Sequence, residues 1–327
     1  MQKIIYADLH CDSITKCCAC GGDMLDFSGQ VNIRKLTASG CGAQCFALFT
    51  DGENAEEDFK KFLAFYGAQI EKHPRLQPVL RRGDIERAVE SGKIGAVLTV
   101  ENLGFLNGGV SGIAALKTAG VKMASLVWNS ANAYAYPNLK FKDGAPDIAA
   151  RESRGLTAAG RAAVEELNKN GVICDISHLS DGGAEDVFAI SELPVVASHS
   201  NCAAVCNVSR NLTDGQIKKI AESGGLVGLN FCRDFVVEGA FADGLYGTAH
   251  TKNESVFEGL YRHFIHLVNV GGEDIAAIGS DFDGIPPYGE LSDCTKICAL
   301  FEYFDRRGVR AGLLEKFAFG NFLRLFG

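Results

Sequence analysis

The chain has 327 residues, 47% of them hydrophobic and 22% charged, a composition that suits a globular protein with a large core, built as one big α/β domain or two medium ones. A formal net charge of −8, from 32 Lys and Arg against 40 Asp and Glu, argues against nucleic acid or an acidic membrane surface as partner, because the excess of cations that neutralises phosphates is lacking. The 12 cysteines are too dilute for a disulfide scaffold and read as reduced thiols, and no apolar run is long enough for a membrane span.

The chain opens MQKIIYADLH, whose apolar run is too short for a signal peptide, so the expected location is cytoplasmic. In chain order, the candidate strands begin with KIIYADLH (3–10) and CGAQCFALFT (41–50). A helical pattern over 55–72 leads to IGAVLTVEN (94–102) and VKMASLVWN (121–129). The stretch 130–156, polar and rich in Ala, Asn, Asp and Arg, reads as a long strand-to-helix loop. A helix over 157–170, with Thr157 as N-cap and Gly171 past its end, precedes strands GVICDISH (171–178) and LPVVASHS (193–200). A helix over 213–224, opened by Thr213, leads to GGLVGLNF (224–231), and a helix over 253–271 leads to DIAAIGSDF (274–282).

Eight short apolar, β-branched runs with helices between them predict a closed (β/α)8 TIM barrel, one domain spanning 1–327, with the long loop over its mouth. No G-x-G-x-x-G turn follows the first strand, which weighs against a dinucleotide-binding sheet.

In such barrels the active site lies at the C-terminal ends of the strands. The first candidate strand ends in His10 and Asp12, the third in Glu101, the fifth in His178, the sixth in His199 and the eighth in Asp281. Singly, each has an ordinary explanation: a loop H-x-D, a helix-cap acid, satisfied core histidines, or a turn shaped by Asp281 or Asp283 in GSDFDG. Gathered at one end of a barrel they need compensating cations, because ionisable groups without partners are costly to desolvate. Three imidazoles and three carboxylates suit zinc or a similar ion, and their number exceeds what one tetrahedral ion uses. Two bridged ions can activate a water and polarise a carbonyl, so hydrolysis is the expected chemistry.

The stretch YADLHCDSITKCCAC (6–20) also offers soft ligands in Cys11, Cys17, Cys18 and Cys20. Residue alternation is expected to turn Cys11 away from the side that His10 and Asp12 share, and the other thiols lie beyond the strand. They are expected as bystanders to the metal site.

These residues resemble the membrane (renal) dipeptidase family of zinc peptidases (family M19), through DLHCD, TVEN, DISH, SHS, GSDFDG and GNFLRLF in that order. The resemblance implies two zinc ions, with His10 and Asp12 as ligands of one, His178 and His199 as ligands of the other, and Glu101 bridging them. It implies a dipeptide substrate, including L-Xaa-D-Xaa, attacked by a metal-bridging hydroxide, with Asp281 handling the proton and Arg210, in SRNLTD, gripping the substrate carboxylate. It also makes a homodimer the candidate assembly. Several relatives carry a histidine where this chain has Trp128; an indole cannot act as an imidazole acid, and an aromatic wall to the pocket is the other role open to it. Two other readings remain open at this point: another hydrolase on the same barrel, acting on a cyclic amide, a lactone or an amine to be deaminated, or a non-catalytic metal- or peptide-binding barrel. The intact Asp281 favours an enzyme.

Overall fold

A computed structural model describes residues 4–142, 145–147, 149–238, 255–287 and 289–327. Its strands are β1 (Tyr6–Asp8), β2 (Cys41–Phe49), β3 (Leu76–Pro78), β4 (Ile94–Glu101), β5 (Val121–Ser125), β6 (Lys140–Lys142), β7 (Ala145–Asp147), β8 (Ile173–Asp175), β9 (Val196–Ala197), β10 (Leu226–Leu229) and β11 (Ala276–Ile278). The pairings β2-β1-β11-β10-β9-β8-β5-β4, closed by β4 against β2, make an eight-stranded parallel barrel, as expected of a (β/α)8 fold. All eight expected strands are present, each shortened at one or both ends.

Burial on both faces explains why these runs read as continuous apolar stretches: every residue of β4, IGAVLTVE, is buried. One inward cluster takes Ala7, Ala43, Cys45, Val97, Met123, Ile173, Val196, Leu226 and Ala277, at least one residue from each barrel strand. Phe322 and Phe326 of the C-terminal helix Asn321–Phe326 join it, and Asn321 Nδ2 donates to Ala276 O at the start of β11. The C-terminal helix therefore packs at the bottom of the barrel and leaves the opposite end for the site. A second, larger cluster packs the outer face of the strands against the surrounding helices.

The two helices whose N-caps the sequence marks start at those residues. Thr157 accepts from Gly160 N at the head of Ala158–Asn170, and Gly171 ends that helix at φ 64. Thr213 and Gln216 form a reciprocal capping box at the head of Asp214–Glu222. The helix expected over 253–271 is described as Val256–Gly271; residues 253 and 254 lie outside the described residues.

Two features differ from the expected pattern. Strand β3 pairs with β4 over Ile94–Ala96, where β5, which pairs with β4 only from Leu98 onwards, does not reach. Within 130–156, β6 and β7 form a short antiparallel pair rather than irregular loop. That segment is tied to the barrel mouth, with Asn138 N donating to His178 O and Ser180 N to Tyr136 O.

Candidate active site

The six strand-end residues meet. His10 and Asp12 follow β1, Glu101 ends β4, His178 follows β8, His199 follows β9 and Asp281 follows β11. His10 Nε2 lies 3.4 Å from Asp12 Oδ2, 3.6 Å from Glu101 Oε2 and 3.9 Å from Asp281 Oδ1. The other Glu101 oxygen, Oε1, lies 3.0 Å from His178 Nε2 and 3.7 Å from His199 Nε2. Glu101 thus presents one oxygen to His10 and the other to the second pair of imidazoles. All six are buried, and Asp12, Glu101, His178 and Asp281 line a cavity of about 370 Å³ that opens at the barrel mouth.

The donor chemistry fits a cation. His10 Nε2 and Asp12 Oδ1 are buried without a hydrogen-bond partner. His178 Nε2 and His199 Nε2 face each other at 2.9 Å, and the bonds on their far sides set what each presents. Asn129 Oδ1 accepts from His178 Nδ1 at 3.0 Å. Ser198 Oγ gives its proton to Asp175 Oδ2 and accepts from His199 Nδ1 at 2.8 Å. Both imidazoles then carry their protons on Nδ1 and turn Nε2 lone pairs inward, the tautomer a metal ligand uses.

Without a cation, protons must balance the charge. Burial alone would depress His10, but the carboxylates of Asp12 and Glu101 outweigh it and raise its imidazole to about 10. Burial pushes Glu101 up despite the attraction of His10. Burial holds His178 and His199 well below the ordinary value, with the charges of Arg210 and His10 respectively adding to it. Asp281 is raised to about 6, chiefly by burial, with His10 opposing.

Asp281 and Asp283 have different tasks. Both sit at positive φ, 63° and 69°, in the left-handed region where Asp and Asn are the side chains most often found. This turn aims Asp281 at the cluster, where Asn230 Nδ2 donates to its Oδ2 at 2.9 Å. Asp283 stands outside the metal-capable groups and accepts from Ser13 Oγ, Gln30 N and Val31 N, which pins the loops after β1 and β11 together. Between the two carboxylates of Asp12 and Asp281 only a glycine fits, because a Cβ on Gly284 would collide with both.

Arg210 reaches the cavity and is only 4% exposed. Its Nη1 donates to Ser177 O, its Nη2 to His199 O at 3.4 Å, and Nη2 also lies 3.2 Å from His178 Nε2. Trp128 is half-buried on the cavity wall, with its ring 4.8 Å from that of Phe49 and 6.2 Å from that of His178. Cys11 does turn away, its thiol donating to Cys45 O, while Cys17 is buried and its thiol is pushed up to about 12 by that burial. No cysteine belongs to a metal-capable group among the described residues.

Reading the strand ends missed the residues beneath the imidazoles. Asp175, on β8, accepts from Ser177 N, Ser177 Oγ, Ser198 N and Ser198 Oγ, and so fixes the hydroxyl that orients His199. The signal was in DISH and SHS, where a polar residue stands just ahead of each histidine. Asp175→Asn is expected to weaken metal affinity about 10–100-fold, as loss of an outer hydrogen-bonding partner commonly does, in competition with a chelating dye. Unchanged affinity would show that Ser198 holds the imidazole unaided.

Residues 1–327 match the model of a family described as membrane dipeptidase (peptidase family M19). The chain is 34% identical over 251 residues to an uncharacterized protein in the pqqA 5' region of Klebsiella pneumoniae, covering 77% of this chain and 88% of that one. It superposes with a TM-score of 0.86 and 25% identity on a metallopeptidase from Rhodobacter sphaeroides liganded with a phosphinate mimic of the dipeptide L-Ala-D-Ala, over 99% of each chain. The dipeptidase AC, a metallopeptidase of family M19, shares the fold at a TM-score of 0.89 and 24% identity, over 99% of this chain and 98% of that one. This chain belongs to the membrane dipeptidase family, peptidase family M19, and is thereby a hydrolase of the metallo-dipeptidase class.

Proposed function

We propose that the whole chain acts as one catalytic domain that hydrolyses dipeptides with two zinc ions, held by His10 and Asp12 on one side, His178 and His199 on the other, and Glu101 between them. The observation that carries this reading is the two-sided Glu101 carboxylate, facing His10 with Oε2 and the other two imidazoles with Oε1. Bound there, the ions would supply a Lewis acid for the peptide carbonyl and acidify a water molecule.

The chain's own residues do the rest. Asp281, held by Asn230, takes the proton of the attacking water and hands it to the leaving amine. Arg210 anchors the C-terminal carboxylate of the substrate from the cavity floor, and Trp128 walls the cavity. The L-Ala-D-Ala mimic in the Rhodobacter sphaeroides relative supports a D residue at the second substrate position. The 12 free cysteines support work in a reducing compartment such as the cytoplasm. No helix among the described residues is long and apolar enough to cross a membrane.

Metal analysis together with a panel of L-L and L-D dipeptides tests the reading, and protein that binds zinc but releases no amino acid from any of them defeats it. The titration has a sign. Because His10 holds its proton up to about 10 in the folded protein, against an ordinary value of about 6.5, zinc loading at pH 7.5 should release protons, seen calorimetrically in buffers of different ionisation enthalpy. For the same reason the stabilisation that His10 gives the metal-free fold is complete below about pH 6.5 and is lost as pH rises towards 10. Melting of chelator-treated protein should fall across that window, and zinc should restore it.

A further inference from the structure

Among the described residues lining the cavity, the cationic side chains are Arg210 and Lys16. They differ in kind. Arg210 is buried, with its guanidinium bonded to Ser177 O and His199 O. The Lys16 side chain is 43% exposed, and its Nζ lies 3.1 Å from Asp283 Oδ1. Asp283 does not depend on it, since Ser13 Oγ and the backbone N–H groups of Gln30 and Val31 already bind that carboxylate. An ammonium carries three donors, so contact with one carboxylate oxygen does not exhaust it.

Its position is set by the short helix Ser13–Ala19. Lys16 N donates to Asp12 O, so Lys16 stands one helical turn beyond the carboxylate nearest His10. Residues so spaced lie about 5–6 Å apart at Cβ, which is the reach of a side chain attached beside the reacting bond. Around the ring, β1 and β9 are separated by β11 and β10, so Lys16 and Arg210 occupy different sides of the mouth. With the substrate's C-terminal carboxylate on the Arg210 side, the Lys16 side would be left to the N-terminal residue. Phe49 and Phe62 line the same cavity and suit the methylenes of such a side chain.

We propose that Lys16 is a specificity-determining residue that receives the side-chain carboxylate of an acidic N-terminal residue, so that glutamyl and aspartyl dipeptides are the preferred substrates. This rests on the dipeptidase reading above and adds the substrate class to it.

The test compares L-Glu-D-Ala with its uncharged isostere L-Gln-D-Ala, and both with L-Ala-D-Glu, on one preparation of zinc-loaded enzyme. The wild-type kcat/KM should favour L-Glu-D-Ala over L-Gln-D-Ala by about 10-fold, the scale of a charge-assisted hydrogen bond discounted for partial exposure. Lys16→Met should collapse that ratio to about one, Lys16→Arg should keep most of it, and Lys16→Glu should reverse it. A ratio taken on a single sample cancels any loss of folded protein. A wild-type ratio near one, a ratio that survives Lys16→Met, or a preference for L-Ala-D-Glu that Lys16→Met removes would each overturn the assignment. Failure to hydrolyse any dipeptide, neutral ones included, would instead overturn the dipeptidase reading and this proposal with it.

Discussion

Asp281→Asn is expected to lower kcat by about 10²–10⁴-fold, the usual worth of a positioned general acid–base, while zinc content stays near that of the wild type. The structure favours this substitution over alanine for a backbone reason. Residue 281 sits at φ 63°, where an alanine would be strained and asparagine is among the residues that tolerate the left-handed region. The side-chain volume is kept, so Asn230 and Gly284 keep their packing. What disappears is the capacity to accept a proton. In the metal-free site burial holds this carboxyl at about 6, and cations nearby would favour its ionised form. The acid limb of the wild-type kcat/KM profile should therefore lie at or below about 6 and be missing from the residual activity of the variant. Hydrolysis at the wild-type rate would remove Asp281 from the proton path.

Much of this site was legible in the sequence because each metal-capable side chain interrupts or ends an apolar run, and a barrel converts such positions into neighbours. The pair Asp281 and Asp283 was not separable in that way. They lie two residues apart in GSDFDG, and only the left-handed turn sends one to His10 and the other to Ser13, Gln30 and Val31. Asp175 and Ser198 were missed because their task is a hydrogen bond made between neighbouring strands, which no spacing along one segment reveals. Strand β3 was missed because Leu76–Pro78 is too short to show a period and ends in a residue with no N–H to give. Lys16 drew no notice beside its cysteine neighbours, and its exposure in the cavity is a property of the fold alone.

Glu101→Gln should separate metal binding from fold stability, with opposite signs. Glu101 shares two of the metal-capable groups, one with His10 and Asp12 and one with His178 and His199, and serves them through different oxygens. An amide keeps one acceptor, but its NH2 group has no lone pair to offer an ion on whichever side it faces, and the negative charge between the two sets is gone. Zinc affinity and turnover should both collapse, and the stabilisation that saturating zinc gives the wild type, about 2.7 kcal/mol at a hundredfold excess over Kd, should vanish from the melting curve. The metal-free fold should respond the other way. Burial pushes the Glu101 carboxyl up, so its ionisation near neutral pH works against the folded state, and a neutral isostere of the same shape removes that cost. Chelator-treated Glu101→Gln should therefore melt no lower than chelator-treated wild type at pH 7.5. A variant that melts lower without metal and still gains from zinc would mean that Glu101 is a structural carboxylate, and that the ions are held by the histidines with Asp12 and Asp281.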